Sequence, residues 1–214
     1  MTPHRSPHRP VYPPAYGYAL YARSHALPRT VATLLGTAFL AAVCAHQLTA
    51  YLDPQRRIPV VALAPMFAAS AIGTGLHQHS AELDRTAVRA AWPRRLAHLL
   101  VLTALAADTL ALAVPSHAQE FGAFAMVRNL LGAVGITAVS AAVTGARLSW
   151  LPTVAYLSAV YLAGGHAAGR AATVWAWPVQ PGPQPAAWAC AALAFLLGAV
   201  LHAVRGPRPR DAGD

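Results

Sequence analysis

Asp108 and Arg128 each lie inside a long apolar run of this 214-residue chain. A charge at the centre of a membrane helix costs about 2.5–3.5 kcal/mol on an insertion scale, so each residue needs a partner or a function. Their spacing relates them. The polar turn between the two runs centres near residue 118, ten residues after Asp108 and ten before Arg128, so an antiparallel hairpin puts both at one depth. A bidentate Arg–carboxylate pair there neutralises both charges. Three roles stay open: an ion pair tying two helices, a place on a substrate path, or two residues that do not meet, with Arg128 snorkelling.

The second charged constellation is polar rather than embedded. Glu82, Asp84, Arg85 and Arg89 fall within the stretch Ser80–Arg95, interleaved with Leu83 and Val88. That pattern reads as a short amphipathic helix in which Glu82 and Arg85 pair at i, i+3. It suits either an ordinary basic loop or a docking surface for a soluble partner.

The remaining chemistry-bearing residues carry little. His77 and His79 point to different faces of a helix and have no third ligand nearby, so no metal site is expected. His46, His98, His166 and His202 lie toward the ends of apolar runs, where a polar-tipped ring snorkels. Cys44 and Cys190 sit in apolar runs as small hydrophobes, and are no disulfide framework. The sequence holds no nucleophile elbow, no H-E-x-x-H and no phosphate-cradling G-x-x-x-x-G-K. It therefore reads as a non-enzyme without a cofactor, and any ATP-driven work needs a second polypeptide to hydrolyse the nucleotide.

Composition names the elements that must position these residues. Apolar residues make up 56% and charged residues 11%, with a mean hydropathy of +0.42. A soluble domain carries about 25% charged residues, so this chain lacks the charge to cover a soluble surface. All sixteen cations are Arg, grouped in short clusters between apolar runs, which is a membrane pattern and not a nucleic-acid one. The fold class is all-α, a polytopic bundle with spans at about 30–52, 58–77, 96–115, 121–145, 150–169 and 186–204. Each run is near the roughly 20 residues that cross a 30 Å hydrocarbon core. Residues 1–17 read as a disordered Pro/His/Arg tail and not as a signal peptide, 18–204 as the membrane domain, and 205–214 as a basic tail. Tyr18–Arg29 suits either an interfacial helix or an unstructured approach to the first span. The Pro-rich stretch 170–185 is too short to span and reads as interfacial or partly re-entrant, anchored by Trp175 and Trp177.

Six spans put both termini on one side, and arginine chooses it. With the termini inside, twelve Arg are cytoplasmic, three are external (Arg56, Arg57 and Arg170) and one, Arg128, is embedded. The positive-inside rule selects this orientation in the cytoplasmic membrane of a bacterium.

This layout resembles the permease subunits of type-2 ATP-binding-cassette exporters. The residues carrying the likeness are Glu82-Leu83-Asp84-Arg85-Thr86, between spans two and three, and the broken apolar segment Ala171–Pro185, where those permeases have short external half-helices. The resemblance implies a cytoplasmic ATPase partner docked on Glu82, Asp84, Arg85 and Arg89, and a homodimer or a heterodimer with another permease. The rival reading is a membrane scaffold or accessory protein that transports nothing.

Overall fold

The computed structural model describes residues 27–51, 58–76, 92–113, 122–164 and 170–208, and these are all-helical, with no strand among them. Six long helices, α1 (Leu27–Tyr51), α2 (Ile58–Gly75), α3 (Trp92–Ala113), α4 (Ala123–Thr144), α5 (Trp150–Gly164) and α7 (Pro185–Arg205), are joined by a six-residue α6 (Arg170–Trp175) and a 3₁₀ turn at Trp177–Val179. Proline marks the starts. Pro28, Pro59, Pro93, Pro152 and Pro185 each fall within the first three residues of a long helix, where the missing N–H has no partner to lose. The third helix begins at Trp92, not at 96 as the sequence suggested, so Arg94 and Arg95 belong to its first turn and not to the preceding loop.

Three of these helices, α3, α4 and α7, are long and apolar enough to cross a membrane, and three shorter apolar stretches lie at Pro28–Cys44, Val60–Gly75 and Trp150–Ala163. Large apolar side chains face outward around the bundle, among them Phe39, Leu112, Leu162, Leu193 and Val204. A contiguous apolar exterior of this kind suits lipid and not water.

The bundle is organised around α4. Two thirds of its apolar window is buried (67%), against 28% for α3 and 33% for α7. Its closest neighbour is α7, and glycine sets the distance. A Cβ on Gly135 would strike the α7 backbone at Ala194 and Phe195, and one on Gly198 would strike the Gly135 backbone. Small residues let two helices meet backbone to backbone, which in lipid is a main source of attraction between them. On the other side, Gly73 of α2 backs onto Thr137 of α4 and Ser149, and Gly75 onto Thr30 of α1.

The same contacts fix helix directions. Helices α2, α4 and α7 run parallel, because Val61 lies beside Asn129 and Gly73 beside Thr137, while Gly135 meets Gly198 and Ala141 meets Arg208. Helix α1 opposes α2, since its first turn touches Gly75, the last residue of α2. Helix α3 opposes α7, since Arg95 lies against Gly206. Helix α5 opposes α4, since Thr153 bonds Thr137 and Tyr156 stands against Trp177, whose ring lies at Gly132. Successive long helices therefore alternate in direction.

Candidate functional site: a polar clamp in the bundle

Arg128 and Asn129 sit side by side in α4, with 0% and 1% exposure, in the second turn of a helix whose other residues are apolar or small hydroxyls. The reason lies in three prolines elsewhere. Pro65 is inside α2 and has no N–H, so the carbonyl of Val61 loses its i+4 donor. Asn129 Nδ2 donates to that carbonyl at 3.0 Å. The 3₁₀ turn bonds Val179 N–H to the Ala176 carbonyl and Gln180 N–H to that of Trp177. The next step would need an N–H on Pro181, so the Pro178 carbonyl is left over and Asn129 Nδ2 takes it at 2.7 Å. The step for the Gln180 carbonyl would need an N–H on Pro183, and Arg128 Nη2 takes it at 2.7 Å. Arg128 Nη1 donates to the Pro181 carbonyl at 2.7 Å, and Nε to Asn129 Oδ1 at 3.1 Å, which fixes both side chains.

Unpaired carbonyls inside a bundle cost several kcal/mol each in hydrocarbon. Two adjacent side chains satisfy those that proline releases from two separate segments. The clamp holds the chain from Trp177 to Pro181 down against α4, roughly 8 Å below the helix start at 1.5 Å per residue. Trp177 is 4% exposed, and Gly132 leaves the space for its indole. Tyr156 completes the pocket, with its ring centroid 6.2 Å from that of Trp177 and its hydroxyl donating to the Trp175 carbonyl at 2.6 Å. Trp188 Nε1 donates to the Gly182 carbonyl at 2.9 Å and closes the loop from α7. Segment 176–184 thus folds back against α4, with Trp177 buried beneath it and Trp175 40% exposed.

Asp108 takes no part. It lies exposed on the outward face of α3, and the three donor nitrogens of Arg128 go to oxygens other than its carboxylate. This corrects the ion pair expected from equal spacing about the turn. Equal spacing sets depth but not azimuth, and the two residues occupy different faces. Nor does Arg128 snorkel: it is fully buried and donates to two backbone carbonyls and to Asn129 Oδ1. The expectation for His202 is corrected too. It is 2% exposed, because the chain turns at Gly206 (φ +70°), returns to bond Ala141 through Arg208 N–H, and Arg95 lies against the turn.

Glu82, Asp84, Arg85 and Arg89 lie outside the described residues, as do His77 and His79, the tail 1–17 and residues 209–214. Cys44 and Cys190 are free and half-buried. Among the described residues no group of His, Cys, Asp or Glu is placed to hold a metal. Sequence reading missed Asn129 as a site residue and Pro65 as the reason for it. The available signal was a polar pair in an apolar helix together with prolines whose lost donors need replacement. The clamp consists of fixed donors on fixed acceptors, with no carboxylate, thiol or hydroxyl nucleophile within it. Its chemistry is to hold backbone in place.

No protein-family model, no curated protein and no solved structure matches this chain.

Proposed function

We propose that this chain is a multi-pass protein of the bacterial cytoplasmic (inner) membrane, with six crossings and both termini in the cytoplasm. It works as the permease-like subunit of an ATP-driven transporter, coupled to a separate ATP-binding-cassette ATPase through the loop 80–95. The observation that carries this reading is the re-entrant segment 176–184, held by Arg128 and Asn129 between the last two long helices. It stands where type-2 exporter permeases have their short external half-helices. The alternating helix directions are those a serpentine of six crossings requires, and the arginine asymmetry supports the orientation. On this reading the subunit pairs with a second copy or with another permease, and ATP-driven closure of the ATPase rocks the helices through Glu82, Asp84, Arg85 and Arg89. Nucleic acid is not a partner.

The test is copurification from membranes. The intact chain should bring an ATPase with it, and reversing the charges of Glu82, Asp84 and Arg85 together should remove that ATPase while the protein still inserts. Those charges lie in the aqueous loop, where exposed pairs are worth about 0–1 kcal/mol, so the bundle should tolerate the change. Retention of an ATPase by the reversed variant, or no ATPase on the intact protein, would refute the coupling.

The second reading, a scaffold or accessory protein, is favoured by the way the embedded polar groups are used. The three donor nitrogens of Arg128 and the amide of Asn129 are all committed to protein oxygens, and α4 and α7 touch backbone to backbone. Such an interior suits a rigid support.

A further inference from the structure

A groove of about 350 Å³ opens on the side of the bundle between α4, α5 and α7. Its lining is almost wholly apolar: Ile136, Val139 and Val143 from α4, Pro152 from α5, Ala194 and Leu197 from α7. It follows α4 from Ile136 to Thr144, about 12 Å along the axis at 1.5 Å per residue. Helices α4 and α7 are two of the three long enough to cross a membrane, so the groove faces acyl chains along its length. The hydroxyls at its lower end are engaged locally: Ser140 and Thr144 bond each other at 3.1 Å, and Thr144 bonds the Ser140 carbonyl at 2.9 Å.

That lower end is basic. Arg208 Nη1 reaches the carbonyl of Val143, a lining residue, at 3.3 Å, which places an exposed guanidinium at the mouth. Arg147 is exposed on the turn after α4, and Arg205 is exposed in the last turn of α7. Asp108, the one carboxylate among the described residues, lies on α3 toward the opposite end, about 20 Å from Arg95 along that helix. Trp92 and Trp150, both exposed, stand at the starts of α3 and α5 on this same end, where tryptophan marks headgroup level.

The geometry points to a binding site for one anionic phospholipid of the surrounding bilayer, with an acyl chain in the Ile136–Leu197 groove and its phosphate against Arg147 and Arg208. Charge complementarity selects the headgroup: the Arg208 guanidinium stands at the mouth of an apolar slot, and Arg147 and Arg205 are exposed at the same end of the bundle. The acyl groove selects a lipid over a free phosphate, which has nothing to place there. This inference rests on α4 and α7 lying in a bilayer and not on transport, so loss of the ATPase leaves it standing.

The experiment uses the full chain purified in mild detergent, with native mass spectrometry counting bound lipid during titration with phosphatidylglycerol, phosphatidylcholine or inorganic phosphate. One phosphatidylglycerol should remain bound, phosphatidylcholine should bind more weakly, and inorganic phosphate should not compete. Replacing Arg147 and Arg208 together with Gln should weaken phosphatidylglycerol about twentyfold to thirtyfold, at about fivefold per arginine near a phosphate surface. Both side chains are exposed, so this variant tests the site without disturbing the core. Val139→Trp fills the groove and should displace the lipid with the arginines intact. Undiminished binding in either variant overturns the site, as does equal retention of the two lipids. Competition by inorganic phosphate overturns the lipid assignment.

Discussion

A single proline changes what its neighbours must do, and Arg128 and Asn129 answer three of them. If the clamp is a donor to released carbonyls, its energetics follow the prolines. Arg128→Met should lower stability by about 2–4 kcal/mol, because it loses charged hydrogen bonds worth about 1.5–3 kcal/mol each and leaves the Gln180 carbonyl unpaired, offset in part by removing a buried charge. Asp108→Asn should change stability by about 0.5 kcal/mol or less, and the double variant should show the plain sum, since residues without a shared partner behave additively. Thermal unfolding in detergent measures all three; recovery of stability in the double variant would restore the ion pair. Asn129 permits a sharper test. Pro65→Ala returns an N–H to α2 that can serve the Val61 carbonyl, so Asn129→Leu should cost about 1 kcal/mol less in that background than in the parent. Equal cost in both backgrounds would mean that the Asn129–Val61 bond contributes nothing to stability.

Helices α4 and α7 meet at Gly135 and Gly198 with no side chain between them. At the crossing of α4 and α7 the neighbours of Gly135 and Gly198 are backbone atoms, which cannot rotate away. Gly135→Ala and Gly198→Ala should each cost about 2 kcal/mol or more through overpacking. Gly36 of α1 is the control, because nothing lies within 4 Å of the Cβ it would gain. Gly36→Ala should therefore cause no loss, and equal effects at all three positions would refute the crossing. Gly132 is the intermediate case, since its neighbour is the flat edge of Trp177. Gly132→Ala should expel the indole, and Trp177→Phe in that background should recover part of the stability. Tryptophan fluorescence reports the first change and unfolding the second.

Across the whole molecule the alternating helices and the basic end make one topological statement. Reporter fusions at Asp214 and within residues 80–91 should read cytoplasmic, and a fusion within residues 181–185 should read external. A cytoplasmic signal from 181–185 would end the six-crossing topology and with it the proposed docking loop. The segment 176–184 folded against α4 adds a second expectation at this scale. Because Trp177 and Pro178 are buried against α4, a cysteine placed at either should resist an impermeant thiol reagent, whereas one at exposed Pro183 should react.

The sequence by itself determined the class of this protein, the rough positions of its helices and the irregularity of the stretch 170–185. Those features depend on composition summed over twenty residues, which no single contact can reverse. It also marked Arg128 as out of place. What only the tertiary structure decided was the partner. Spacing about a turn located Asp108 and Arg128 at one depth, but azimuth depends on how α3 and α4 rotate to bury Leu99, Leu102, Ala106 and Leu110, and that rotation turns Asp108 outward. Two of the three partners of Arg128 lie more than fifty residues away in the chain, and they are backbone carbonyls, which no residue type announces. The Gln180 carbonyl is open to Arg128 because Pro183 lacks the donor that a regular turn would have supplied, just as Pro181 leaves the Pro178 carbonyl to Asn129, whereas the Pro181 carbonyl also accepts from Gln184 N–H. A helix-long apolar pattern is a local average and survives any packing; a hydrogen bond between two distant segments exists only once the packing has brought them together.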